Sequence, residues 1–567
     1  MKKIFCLFIL LSFSISLWAQ ASANPNDTFY QKASVWEIKG LVPHLPQFRP
    51  YPIQIIEEIL ETVIQSENDK ESQIAQEEFE RIFGKKFNIN TSISSFRKKN
   101  NIFYPFDFSI NGDIKISPFL GFSYKAGCFL INANNETALS KLYENIEHDS
   151  FSDPAIIGPY TSYTDMNCLT SFGNTHFFGN AGISRFGFGP FMGNGIALND
   201  TCFHMAGLTY NAMFFENFTY GHFYASIGAT NNAGVEQNNT KYLSLHSVNW
   251  DITKNLSASF YEAAVFGRRN ELSYALPVPY LVNEILTGVN DNIWMGVIGE
   301  YRPVNNLKLA FDVFVDDFAV RSLTLDDKYR LALQTGIFWT PETPFIEILS
   351  MDYQAVMPYV YTHVEYDDFV HYNIRKENIN YQNYTHYGMG LGASIPPDSD
   401  RISLKGTIKP VPFINIEFLG SYTRHQNVNE ALTFEEQKNY MEASDDEYLT
   451  DGSIFNHADQ YNNGTDFSYM NSAQYHLLFM KGKHTMHNFG LDLKTTFNLP
   501  KTKGGNLSFI LEYAFDYTIN KGIDRNMFST GHTDVTEEDV KKEIEIWASG
   551  LYNEFTQYIT VGLKYRF

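Results

Sequence analysis

Residues 555–567 read "FTQYITVGLKYRF". Tyr565, Leu563, Val561 and Ile559 are apolar or aromatic and share the parity of Phe567, whereas Arg566, Lys564, Gly562 and Thr560 are charged, small or polar. An alternation of period two predicts a strand with one apolar face. Its length suits a tilted membrane-spanning strand, with lipid on the apolar side and a wet lumen on the polar side. An edge strand of a soluble sandwich is the plain alternative. In the membrane reading, Tyr565 and Phe567 form the terminal aromatic signal that barrel-assembly machinery uses during insertion.

The start of the chain favours the membrane reading. Lys2 and Lys3 precede an apolar run from Ile4 to Trp18, and Ala21-Ser22-Ala23 supplies small residues for cleavage. This pattern predicts a secretory signal over residues 1–23. Cys6 lies inside the apolar run, so a lipoprotein anchor is not expected. No other run is long enough for a spanning helix, and the mean hydropathy of -0.26 argues against a helical membrane protein. Cys128, Cys168 and Cys202 remain after cleavage, and three thiols do not suggest a disulfide framework.

Composition fits an exported barrel. The formal net charge is -21, and losing the signal removes two lysines and no acid, so nucleic acid is not an expected partner. Phe and Tyr number 48 and 35, which suits strands carrying aromatic girdles.

The alternation recurs along the chain. In "NLSFILEYAFDYTIN" (506–520), Phe509, Leu511, Tyr513, Phe515 and Tyr517 alternate with Ile510, Glu512, Ala514, Asp516 and Thr518. In "NLKLAFDVFVDDF" (306–318), Leu307, Leu309, Phe311, Val313 and Val315 alternate with Lys308, Ala310, Asp312, Phe314 and Asp316. "INIEFLGSYTR" (414–424) repeats the theme. Charges on the inner face would be costly in a dry sandwich core but are at home in a wet lumen. Residues 101–567 are therefore expected to form a large closed antiparallel barrel.

Residues 24–100 predict a small helical module. Phe29, Ala33 and Trp36 have helical spacing before Gly40. Pro52 starts a second stripe of Ile56, Ile59, Leu60 and Val63, and Ala75, Phe79, Ile82 and Phe83 form a third before Gly84. The module is expected to plug or cap the periplasmic mouth, with "SISSFRKKN" (92–100) as a polar link. Short turns "PKTKGGN" and "KPVPF" then fall on the periplasmic side, and the long connections 425–484 and 521–553 fall outside. The latter contains a helix that Thr536 can cap, with Val540, Ile544 and Trp547 on one face. The acidic residues of the 425–484 connection read as a solvated charge run rather than a cation site.

No nucleophile, metal or phosphate motif is present, so neither an enzyme nor a cofactor is expected. The glycines of "FGFGPFMGNG" (186–195) lack dinucleotide-binding spacing and read as a strand bend. Asp316-Asp317 and Asp367-Asp368 point to opposite faces of a strand and form no dyad. His246, His363 and His386 read as loop or lumen residues rather than ligands.

Several central segments resemble the Wzi family of outer-membrane capsule-assembly proteins. They are "ISRFGFGPFMGNGIALND" (183–200), "KYLSLHSVNWDITKNLSASFYEAAVFGRRNELSYALPVPY" (241–280), "NDNIWMGVIGEYRP" with "VDDF" (290–318), and "NYTHYGMGLGASIPPDSDRISLKG" (383–406). The resemblance implies a barrel of about eighteen strands, plugged by helices, that binds surface polysaccharide and assists capsule or exopolysaccharide assembly or attachment. An outer-membrane porin or uptake channel is the alternative. The polar residues of the matched segments, Arg185, His246, Glu262, Arg268, Arg269, Asp316 and His386, are the ligand-binding candidates. The expected location is the outer membrane, with surface polysaccharide and membrane lipid as partners.

Overall fold

A computed structural model describes residues 25, 27–84, 87–98, 106–116, 120–130, 156–157, 160–231, 237–287, 291–317, 330–362, 379–426, 430, 434, 479–500, 505–522 and 536–566. The proposed signal, Asp367-Asp368, His363, Phe567 and nearly all of the acidic connection lie outside these residues.

Among the described residues, eighteen long strands form one antiparallel ring, to whose edges the two-residue strands Ile156–Ile157 and Ile379–Asn380 also bond. In chain order they are β1 (Phe87–Lys98), β2 (Phe106–Ile116), β3 (Leu120–Leu130), β4 (Tyr160–Gly173), β5 (Phe177–Ser184), β6 (Met205–Phe215), β7 (Phe218–Asn231), β8 (Gln237–Thr253) and β9 (Leu256–Gly267). They continue as β10 (Asn292–Val304), β11 (Leu307–Asp317), β12 (Arg330–Trp339), β13 (Ile346–Val356), β14 (Ser399–Val411), β15 (Ile414–His425), β16 (Met486–Asn498), β17 (Asn506–Lys521) and β18 (Tyr552–Arg566). Each pairs with its sequence neighbours, and β1 closes the ring by pairing with both β2 and β18. Among the described residues no helix is long and apolar enough to cross a membrane.

Side-chain alternation has the expected sense. Ile559, Val561 and Leu563 on β18, Leu507 and Leu511 on β17, and Leu309 and Phe311 on β11 stand exposed on the outside. Lys308, Asp312, Phe314 and Asp316 are buried on the inside of β11. The ring thus carries an outer apolar band around a polar and aromatic interior.

The helical stripes form as expected. Helices α1 (Thr28–Ile38), α2 (Ile53–Ile64) and α3 (Asp69–Phe83) bury Phe29, Ala33, Trp36, Ile56, Leu60, Val63, Ala75 and Ile82 in one core that also takes in Phe178 of β5. Each fully buried aliphatic side chain there contributes about 1.5–3 kcal/mol. Asp27 and Asn68 cap α1 and α3 by accepting the backbone N–H groups of Phe29 and Glu71.

The module contacts the ring near its short turns. The Ile38 carbonyl accepts from the Asn306 N–H at 2.9 Å, and His44 Nε2 lies 3.3 Å from the Thr253 carbonyl. Arg302 of β10 donates to the Glu37 carbonyl at 2.5 Å.

The boundary at residue 101 is corrected. Phe87–Lys98 is a ring strand hydrogen-bonded on both edges, so the barrel begins before residue 101 and "SISSFRKKN" supplies strand rather than link. Its serines hide the alternation, yet every backbone group between two neighbours gains a ladder partner. The connection between β17 and β18 contains α4 (Glu537–Ser549), where Thr536 and Asp539 form a capping box and Val540 and Trp547 are buried. Cys168 and Cys202 are free thiols.

Candidate functional site

The interior is filled from one side. After β5 the chain turns inward, and Phe186, Phe188, Ile196 and Leu198 pack against Phe223, Leu245, Tyr261, Ile298 and Phe314 on the inner wall. A second inward segment, between β13 and β14, adds Tyr361, Tyr384 and Leu391. The glycine-rich stretch is therefore not a strand bend. Phe188 and Gly187 pair with Phe48 and Arg49 of the helical module, and a Cβ at Gly187 would come within 2.7 Å of the Asp200 side chain. Glycine is needed where these backbones approach so closely. Arg49 Nε bonds Asp200 at 3.2 Å, and the second Asp200 oxygen accepts the Gly193 N–H at 2.7 Å.

A buried ionic node joins module to wall. Lys308 Nζ lies 2.6 Å from Glu37 and 2.5 Å from Glu300, and Gln47 donates to Glu300 at 2.7 Å. Burial acts to raise the Glu37 carboxyl, but Lys308 and the hydrogen bond to His44 outweigh it and hold the group at about 2.

Beside the packed segments lies a cavity of about 740 Å³. Its walls are Lys32 of α1, the Pro190–Asn194 turn, and the inner faces of β13 to β18. Charged groups line it in pairs, Lys409 with Glu347 at 2.8 Å and Lys494 with Glu417 at 3.3 Å, while Asn194 donates to Asp352 at 3.0 Å. Phe191 and Phe338 supply aromatic surface, their rings 5.8 Å apart. Flat rings beside carboxylates, amides and ammonium groups suit a hydroxyl-rich ligand, since rings cover apolar sugar faces while polar groups bond hydroxyls. Among the described residues no group of three or more His, Cys, Asp or Glu is placed to hold a metal ion.

The residues singled out by sequence do not converge on this cavity. His386 and Asp316 lie in the packed interior. His386 Nδ1 accepts the Gly228 N–H at 2.8 Å, and its Nε2 lies 2.9 Å from the His204 carbonyl, which fixes the neutral Nε2–H tautomer. Burial pushes this imidazole down to about 4. Asp316 accepts the Tyr361 N–H, and Arg185 Nε is buried with no hydrogen-bond partner among the described residues.

His246 and Glu262 are not lumen residues. They pair across β8 and β9, and Glu262 sits opposite Met295 on β10, in register with exposed Phe260 and Val297 two residues along each strand. Both therefore project outward. They meet at 3.1 Å beneath a segment that connects β9 to β10: Glu262 accepts the Tyr280 N–H at 2.9 Å, and the Tyr280 ring stacks on His246 with centroids 4.1 Å apart. Arg269 pairs with Asp291 at the root of this segment, and Arg268 lies over the Tyr381 ring at 4.7 Å. Sequence reasoning missed the cavity residues Lys494 and Asn194; alternation along 486–498 puts Lys494 on the inward face and could have found it, but nothing local connects it with Asn194.

No protein-family model matches the sequence, and no characterised protein matches it by sequence. By structure the chain is similar to Wzi, an outer-membrane protein involved in group 1 capsule assembly in Escherichia coli and a carbohydrate-binding β-barrel. The likeness covers 96% of this chain and 99% of Wzi, with a TM-score of 0.52 and 10% identity. OprD of Pseudomonas aeruginosa and OccAB1 of Acinetobacter baumannii share only the general shape. They have TM-scores of 0.37 and 0.36 at 10% and 8% identity, over 85% of this chain and 94% and 95% of theirs. With a closed ring, an outward apolar band and the likeness to Wzi, the fold is that of an outer-membrane β-barrel.

Proposed function

We propose that this barrel binds surface polysaccharide without transforming it, assists capsule or exopolysaccharide assembly or attachment, and is plugged by its helical module. The observation that carries the reading is the filled interior. A module tied to the wall through Glu37, Lys308 and Glu300, and inward segments packed behind it, leave a cavity lined by aromatic and charged groups. The likeness to Wzi over nearly the whole chain supports the same direction. Catalysis is not part of the proposal, because the charged groups of the cavity are engaged with one another rather than set beside a nucleophile.

The second reading, a porin or uptake channel, draws on the loosely covered inner faces of β15 to β18, which are only half-buried along most of their length. Two measurements on the purified full-length protein separate the readings: single-channel conductance in planar bilayers, and binding of the host's surface polysaccharide. Closed behaviour with glycan binding is the expected result. Persistent large conductance without binding would establish the channel instead, and hydrolysis of the added glycan would defeat both.

A further inference from the structure

The outer wall of β6 to β9 carries polar groups at positions that an outer-membrane strand ordinarily fills with apolar ones. Tyr210, His222, His246 and Glu262 lie in one row across the four strands, each opposite the next in register. Two residues along the strands toward the short turns, Val248 and Phe260 are exposed. The polar row is covered by the connection between β9 and β10, a 3-10 turn at Leu272–Ala275 followed by a helix at Tyr280–Thr287. The inner side of this strap is specific. The Ser244 hydroxyl donates to the Tyr274 carbonyl at 2.6 Å and meets the Tyr280 hydroxyl at 2.6 Å, Tyr274 donates to Asp291 at 2.8 Å, and the Tyr274 ring packs on Phe266. Tyr274 and Tyr280 are fully buried.

Its outer side is apolar. Leu272 is 75% exposed and Leu286 77%, well above Val248, Phe260 or Val297 on the wall beside them, and Leu276 at 48% and Val282 at 46% are exposed to the same degree as that wall. Such a patch on a loop in water would be unfavourable and calls for an occupant. Continuity with the outward band of the wall identifies one.

We propose that residues 268–287 form a strap lying in the bilayer against the outside of the barrel, with Leu272, Leu276, Val282 and Leu286 in contact with lipid acyl chains. The strap replaces lipid over the polar row. His246, Glu262 and the Tyr280 N–H find partners within protein, because hydrocarbon supplies none. The proposal requires the outer-membrane location and not glycan binding.

The test uses nitroxide spin labels on single cysteines in the full-length protein, reconstituted in phospholipid vesicles, with Cys128, Cys168 and Cys202 replaced by serine. Labels go at Leu272, Leu276, Val282 and Leu286, with Val297 on the outer wall and Glu537 on α4 as references. The expected result is collision with dissolved oxygen several-fold above collision with a water-soluble nickel complex at all four strap sites, matching Val297. Preferential collision with the nickel complex, matching Glu537, would put the strap in water and overturn the proposal. Spin–spin broadening on raising the protein-to-lipid ratio would assign the patch to a second copy of the chain and overturn it equally. A water-like signal at Val297 itself would refute the membrane location instead.

Discussion

The inner wall from β7 to β13 and the inner wall from β15 to β18 are built on the same alternation, yet they differ in what covers them. On the first, Phe223, Leu245, Tyr261, Ile298 and Phe314 are buried to the last atom or nearly so. On the second, most inward positions are only half-buried. The strands do not cause this difference. It comes from the connections after β5 and β13, which fold into the ring and lie on one side of it. A barrel wall therefore fixes which residues point inward, while the connections decide whether those residues meet protein or open space.

If the first side is a packed core and the second a lined cavity, equivalent damage should cost very different amounts. The largest effect is expected from Lys308→Met. It strands the Glu37 and Glu300 carboxylates in a buried node, and breaking such a node costs about 3–5 kcal/mol. Thermal unfolding should shift downward, and limited proteolysis should release the helical module while the ring persists. If the module stays protected in the Lys308→Met protein, the node does not hold it.

Phe188→Ala against Ile510→Ala sharpens the comparison with a matched pair. Phe188 is fully buried among Phe48, Tyr261 and neighbouring side chains, so truncation should cost about 3–5 kcal/mol. Ile510 points inward from β17 but is only half-buried, and its loss should cost roughly 1 kcal/mol. Equal losses in denaturant or thermal unfolding would mean that the two walls are packed alike.

Acid should unpick the packed side in two stages. His386 is held neutral in the fold, down at about 4, against a reference value of 6.5. Its contribution is complete above about 6.5 and is lost as pH falls through about 4. Glu37 is held at about 2 against 4.5, so its contribution is complete above about 4.5 and is lost as pH falls through about 2. Stability measured against pH should fall first over the His386 window and again over the Glu37 window. His386→Gln should remove the first fall and keep the second; a profile unchanged by that substitution would show that His386 does not titrate with unfolding.

Much of the wall was legible in the sequence because a period of two needs no knowledge of distant residues. The strands around 307–317, 414–425, 486–498, 506–521 and 552–566 follow from it, as do the three helical stripes and the Thr536 cap. The candidate site was much less legible. Alternation assigns polar residues to the inside, and this rule misplaced His246 and Glu262, whose outward positions are tolerable only because Tyr274 and Tyr280 arrive from another segment to cover them. The same limit applies to "FGFGPFMGNG", where the glycines answer to Arg49 and Asp200, residues distant in sequence. β1 was hidden by its serines and is specified by pairing with β18, the strand farthest from it along the chain.

The smallest expected change in stability is the one that bears most directly on function. Lys494 and Glu417 pair at 3.3 Å between the neighbouring strands β15 and β16 in the cavity wall, with side chains 41% and 38% exposed. A pair so exposed contributes about 0–1 kcal/mol, so Lys494→Met and Glu417→Gln should leave unfolding nearly unchanged. Both residues line the cavity, so each substitution should weaken binding of surface polysaccharide to the purified protein. His246→Ala is the counterpart, removing a buried group from the covered row on the outer wall. It should lower stability and leave glycan affinity where it was. Unaltered affinity in both cavity variants, with the fold intact, would remove the cavity as the glycan site. Lost affinity in the His246 variant at full stability would move the site to the outside of the barrel.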